Sequence, residues 1–271
     1  MSLQLQKLDP AKQIAAGSIV HCISKRNTGK SVLIKGLCYK LRDKIEFCIC
    51  FAQSTSSALS FASMMPQRCV YQTLDLCVLD RLMAYQKECA QKGKRVRSIM
   101  VIFDDCSWEA ALFKKPAPTL AELYRNGRHM NITVCCIGQD HLDFHIGLRG
   151  QVDVYFFLRE ASVQIRKRIH SASVPALTLP EFHCVMDSVT ENYGALVVLN
   201  TVQKNSPSEC LFWWRARVKL PRFKLVNDCF YTFAERLVPE VHAQQSTQPQ
   251  RKGGVMVETC GDDDASTVVS A

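Results

Sequence analysis

Ser24, Lys25, Arg26, Asn27, Thr28, Gly29, Lys30 and Ser31 follow directly on the apolar run Ile19–Ile23 and precede a stretch of helical periodicity. That context, with glycine, lysine and a hydroxyl in succession at its end, suits a phosphate-binding loop. Backbone N–H groups of the turn and of the helix N-terminus point at the anion. Gly29 allows close approach, Lys30 neutralises β and γ oxygens, and the Ser31 hydroxyl can hold Mg2+. The loop departs from the common pattern at its first position, where Ser24 stands in place of glycine, so the turn has to accommodate a Cβ.

Two adjacent carboxylates, Asp104 and Asp105, end the buried-strand run SIMVIFDD. Because a strand alternates its sides, the two are expected to point differently: Asp104 toward a metal, directly or through water, and Asp105 toward a water that it polarises for attack. The other reading of the pair is a cap on a helix beginning near Ser107. Gln139 ends a second buried run, ITVCCIGQ, and can donate and accept at once. This suits a group that orients water beside a γ-phosphate, although a glutamine there also fits a simple turn. Just upstream, YRNGRH carries Arg125 and Arg128. A guanidinium here, Arg128 for preference, could stabilise transition-state charge in a neighbouring subunit's site; DNA contact or plain surface charge is the alternative.

Elements of matching period surround these residues. Strands are expected at Ile19–Ile23, 45–51, 99–103, 132–137, 152–158 and 195–199, helices at 31–42, 74–90 and 161–170, and a late strand of unassigned pairing at 211–218. The alternation specifies an α/β fold, a mostly parallel central sheet with helices on both faces. With 271 residues, 47% hydrophobic and 22% charged, one such domain is expected over 19–238. An arm, 1–18, precedes it. A tail, 239–271, rich in Gln, Ser, Gly and Asp, reads as disordered or as a tether to a partner.

No run approaches the apolar length of a membrane span and the N-terminus lacks a secretory core, so the expectation is a soluble intracellular protein with no transmembrane segment. The fourteen cysteines include no CxxC pair and lie in apolar segments such as FCICF. They read as buried reduced thiols, with no zinc expected. The seven histidines occupy unrelated contexts; His141 and His145 share helical spacing without a glutamate between them. Trp213 and Trp214, beside Arg215 and Arg217, are either strand core or a base-stacking pair. The net charge of +9 gathers in the clusters 87–97, 159–170 and 215–224. Lys94, Arg95, Arg166, Lys167 and Arg168 are the candidate DNA contacts, with a solvated face as the alternative.

Taken together, the loop 24–31, the terminal Asp104 and Asp105, and the segments NGRHMNITVCCIGQ and MDSVTENYGALVVLN resemble the poxvirus-type genome-packaging ATPases of nucleocytoplasmic large DNA viruses, within the FtsK/HerA superfamily. The resemblance spans roughly 19–217. It implies a RecA-like ASCE P-loop NTPase core, with the Gln139 strand lying between the phosphate-loop strand and the Asp104 strand. It also implies ATP and Mg2+ as ligands, hydrolysis coupled to movement along double-stranded DNA, and a homo-oligomeric ring. Capsid or inner-membrane partners of a virion follow from it, as does a location in the host cytoplasm or the virion. Superfamily members often carry glutamate where this chain has Asp105, one methylene shorter, so a bridging water would have to make up the reach. The segments 93–97 and 142–150 are the pore-loop candidates. A nucleoside or small-molecule kinase, or a nucleotide-binding assembly scaffold without motor activity, would use the same loop.

Overall fold

Strands covered on both faces have no solvated side and must be apolar along their whole length. In the computed structural model, which describes residues 4–106, 113, 115–203 and 206–236, the runs of that kind form the middle of one nine-stranded sheet. The strands are β1 (Gln6–Lys7), β2 (Ile19–Ile23), β3 (Phe47–Ala52), β4 (Val70–Tyr71), β5 (Ile99–Asp104), β6 (Ile132–Gly138), β7 (Val154–Phe157), β8 (Gly194–Leu199) and β9 (Leu211–Arg215). Their spatial order is β1-β9-β8-β7-β2-β6-β5-β3-β4. Only the pairs β7–β8 and β8–β9 are antiparallel, so β8 alone runs against its neighbours. β6 lies between β2 and β5, the order the resemblance implies.

Side-chain alternation divides the core into two layers. Ile19 and Ile23 of β2 with Ile99, Val101 and Phe103 of β5 meet the helices Leu76–Gln91, Pro118–Asn126, Val163–Ser173 and Leu179–Val189 through Leu79, Leu123, Ile169 and Phe182. On the opposite face Val20, Cys22, Met100 and Ile102 meet the helix Lys30–Leu41 through Leu33, Ile34 and Leu37, and the helix Thr55–Ala62 through Phe61. Helices cover both faces, as the sequence predicts. The thiols of Cys22, Cys48, Cys50 and Cys135 are buried in these layers as small apolar groups. Burial pushes the Cys22, Cys48 and Cys50 thiols up, away from reactivity.

Several boundaries move for identifiable reasons. The strand expected from 45 starts at Phe47, because the Glu46 carboxylate is tied at the sheet edge: it accepts from the Ser98 N–H at 3.1 Å and pairs with Arg95 and Arg97. The strand expected at 211–218 ends at Arg215, where the chain leaves the sheet and Ala216 packs on Gly36 of the helix Lys30–Leu41. Its pairing is antiparallel to β8 and parallel to β1. β1 and β4 have two residues each, too few for any periodicity to register. Thr55–Ala62 (TSSALSFA) has hydroxyls where an apolar stripe would have announced a helix. The helix expected near Ser107 and the tail 239–271 lie outside the described residues. Among the described residues no helix is long and apolar enough to cross a membrane.

Candidate functional site

In open α/β sheets ligands collect at the carboxyl ends of the strands. Here β2 ends in the loop that opens the helix Lys30–Leu41. The loop is pinned to its neighbours: the Ser24 N–H donates to the Gly138 carbonyl at 3.0 Å, the Lys25 ammonium lies 2.7 Å from the buried Glu160 carboxylate, and the Thr28 hydroxyl donates to the Lys25 carbonyl at 2.8 Å. Left-handed backbone occurs at Asn27 (φ 62) and Gly29 (φ 98). Ser24 is not among the left-handed residues, so its Cβ introduces no strain; Asn27, a residue that tolerates this conformation, turns the chain. At Gly29 a Cβ would stand 2.7 Å from the ring of Tyr193, so glycine is required on two counts.

On β5, Asp104 alternates onto the face of the helix Lys30–Leu41, and the Ser57 hydroxyl donates to its carboxylate. Burial holds the Asp104 carboxyl above its ordinary range and Asp105 adds to the shift, against the opposing pull of Ser57 and Lys30. The two carboxylates do turn to different partners, but strand alternation is not the reason. Asp105 lies beyond the strand with φ 51, its N–H still bonded to the Ile137 carbonyl at 3.2 Å, so alternation no longer applies to it. Its carboxylate instead lies 3.6 Å from the Lys30 ammonium and accepts from the Gln139 amide at 2.9 and 3.1 Å. Both carboxylates therefore line one cleft of about 300 Å3 with Lys30, Ser31, Ser54 and Ser57. Ser54 and Ser57 were not singled out from the sequence. Their signal was the hydroxyl-rich QSTSS that follows β3, the strand beside β5.

The other expected residues separate by position. Arg125 and Arg128 are exposed at the opposite edge of the sheet, before β6 begins, roughly 20 Å from the loop by strand length. Arg128 packs by its backbone against Gly17, which leads into β2. Lys94 and Arg95 are exposed at that same edge, before β5, with the Arg95 guanidinium 3.3 Å from Glu46. Arg166 is a correction: it is 8% exposed, and its guanidinium donates to the Glu160 carbonyl and to Asp187, both at 2.5 Å. It is therefore not available to phosphates. Lys167 is exposed, and Arg168 lies 3.8 Å from Asp140, just after Gln139. Trp214 is buried against Phe156, and Trp213 is half-buried beneath the Lys7 ammonium, which assigns both to packing. His141 is buried while His145 is exposed and caps the short helix Ile146–Arg149, so the two share no helix face.

No family model matches the chain. It is 30% identical over 204 residues to "Uncharacterized protein 088R" of Invertebrate iridescent virus 3, across 74% of this chain and 76% of that protein. Among solved structures it is similar to B204, the DNA-packaging ATPase from Sulfolobus Turreted Icosahedral Virus. That match has a TM-score of 0.54 and 18% identity over 74% of this chain and 98% of that one. The genome packaging NTPase B204 from Sulfolobus turreted icosahedral virus 2, in complex with ATP-gammaS, matches with a TM-score of 0.51 and 17% identity over 75% and 99% of the two chains. The sheet is thus the mostly parallel α/β sheet of P-loop ATPases.

Proposed function

We propose, from the premise that this chain belongs to the family of viral proteins that includes protein 088R of Invertebrate iridescent virus 3, that it is an ATP-hydrolysing motor that moves double-stranded DNA into a capsid. The observation that carries the reading is a single cleft holding Lys30, Ser31, Asp104 and Asp105, with the lysine and Asp105 in contact. A conserved-fold kinase or scaffold would need the phosphate loop but not a second carboxylate held by an amide. DNA-packaging function in a protein of the same fold supports the choice of motor.

The residues fit a magnesium ion. The buried Asp104 carboxylate and the exposed Ser31 hydroxyl are hard oxygen donors on two sides of one cleft, and burial gives Asp104 a reason to seek a cation. Such an ion would neutralise the charge of the phosphates. Lys30 exchanges Asp105 for the β and γ oxygens, which frees the Asp105 carboxylate while Gln139 still orients it. A water attacks the γ-phosphorus in line and its proton passes to Asp105. The bond to the bridging oxygen breaks, and Lys30 offsets the charge left on the diphosphate. Because Arg128 lies a strand length from Lys30, a role for its guanidinium in charge stabilisation would fall on a neighbouring molecule's site, as in a homo-oligomeric ring. Lys94, Arg95, Lys167 and Arg168 remain the surface cations for DNA phosphates, so DNA binding should weaken steeply with salt and ignore sequence.

ATP turnover with and without long double-stranded DNA tests this. DNA should stimulate the wild type, and Lys30→Ala and Asp105→Asn should each lower turnover by roughly a hundredfold or more. Turnover by the wild type no higher than by either variant removes the hydrolase. Stimulation by nucleosides in place of DNA makes the protein a kinase instead.

A further inference from the structure

Strand β2 lies between β6 and β7, and the loop that follows it is tied to the ends of both. On the β6 side the tie is backbone, the Ser24 N–H on the Gly138 carbonyl. On the β7 side it is a side chain: the Lys25 ammonium sits on the carboxylate of Glu160, just past the strand. Nothing in the proposed cycle uses either member of that pair.

Glu160 is 5% exposed, and a carboxylate taken so far out of water has to be paired and hydrogen-bonded. Its own side of the contact is fixed by the helix Val163–Ser173. The N–H of the capping residue Ser162 donates to the carboxylate at 2.7 Å, and the Arg166 guanidinium holds the Glu160 carbonyl. Lys25, with a side chain 46% exposed, is the movable partner. It can stay on Glu160 or leave a buried carboxylate without its cation, and the second arrangement is strongly unfavourable.

Holding the ammonium holds the loop. The Lys25 carbonyl accepts from the Thr28 hydroxyl, which closes the turn through the left-handed Asn27, and that turn delivers Gly29 and Lys30 to the start of the helix. We propose that Glu160 is a positioning residue of the phosphate loop: acting through Lys25, its carboxylate keeps the loop in the shape that receives phosphates. This deepens the nucleotide-binding reading above and rests on it. A Glu160 that instead competed with the phosphates for Lys25 would have an effect of opposite sign.

Calorimetric titration of the full chain with Mg2+ and either ATP or inorganic tripolyphosphate separates the two. The proteins are the wild type, Glu160→Gln, Lys25→Met and Lys25→Met/Glu160→Gln, compared at a temperature where urea denaturation shows each to be folded. Glu160→Gln should weaken ATP and tripolyphosphate alike by about tenfold, because the loop meets phosphates and not the nucleoside. The double variant should bind within about twofold of the weaker single variant, since one tie is lost only once. In turnover, KM for ATP should rise about tenfold in Glu160→Gln while kcat stays within about threefold, a split that lost stability alone does not produce. Tighter binding by Glu160→Gln makes the carboxylate a competitor and overturns the proposal. Unchanged affinity, a loss for ATP alone, or losses that multiply in the double variant overturn it too. If Glu160→Gln does not fold, Glu160→Asp keeps the buried charge but draws it back by a methylene. A loss in Glu160→Asp that the longer side chain of Lys25→Arg/Glu160→Asp recovers then supports the proposal, and no loss or no recovery overturns it. A wild type that binds neither ligand overturns the phosphate loop itself.

Discussion

Gly29 carries two constraints that mutation can separate. Its φ of 98° belongs to the left-handed region, and the space where a Cβ would go is filled by the Tyr193 ring. Alanine there costs about 1–2 kcal/mol for the backbone alone, and the contact with Tyr193 forces the loop or the ring to move. Gly29→Ala should therefore weaken ATP binding by about tenfold or more, read by calorimetry. Adding Tyr193→Ala removes the steric half and should restore part of the affinity. A wild-type affinity in Gly29→Ala would contradict the loop geometry. At this scale the loop 24–31, Asp104 and Gln139 stand out in the sequence as candidates, because residue type and context suggest a chemistry. The sequence did not foresee the backbone of Asp105, since a positive φ one residue past a strand leaves no mark on composition. It missed Ser57, whose relation to Asp104 exists only once β3 and β5 pair.

Elements show the same division between what is local and what is assembled. Long apolar strands and their order around β2 were readable, the first from periodicity and the second from family resemblance. The ends β1 and β4, and the chain that leaves β9, depend on tertiary packing and were not. Arg166 is the clearest case, because a basic run looks like surface until the helix Val163–Ser173 turns one guanidinium inward. There it joins the Glu160 carbonyl to Asp187 on the helix Leu179–Val189, and its hydrogen bond with the Arg166 charge holds the Asp187 carboxyl below its usual range. Glu160 in turn pairs with Lys25 of the phosphate loop. Arg166→Ala should lower unfolding free energy by about 1–3 kcal/mol, whereas Lys167→Ala, one position on and exposed, should change it by less than about 0.5 kcal/mol. Urea denaturation of both variants decides, and equal effects would return Arg166 to the candidate DNA contacts.

The whole molecule has a polarity that its charge count hides. Lys30, Ser31 and the two carboxylates line the cleft at the carboxyl ends of the strands, and Arg128 and Arg95 lie at the other edge. Between them the core encloses two histidines: His21 in the middle of β2, hydrogen-bonded to the Tyr124 hydroxyl at 2.9 Å, and His141, packed on Tyr155. Burial, reinforced by repulsion from His141, lowers the His21 pKa to about 3; burial, then Arg149, lowers that of His141 to about 4, with Asp140 opposing. In the unfolded chain both titrate near 6.5. The unfolded state thus takes up protons that the folded state refuses between about 6.5 and 3–4, and stability falls as pH drops through that window, by at most about 2.7 kcal/mol per pH unit for two groups. Asp104 and Asp153, raised by burial, act in the opposite sense and offset part of that decline. Denaturant midpoints should be level from pH 8 to 7 and decline clearly toward pH 5.5. His21→Leu removes the hydrogen bond between the ring and the Tyr124 hydroxyl and lowers the plateau, yet its decline should be shallower, and His21→Leu/His141→Leu should be shallower still. An acid slope that the double variant shares with the wild type would mean that protons enter the folded core through other groups.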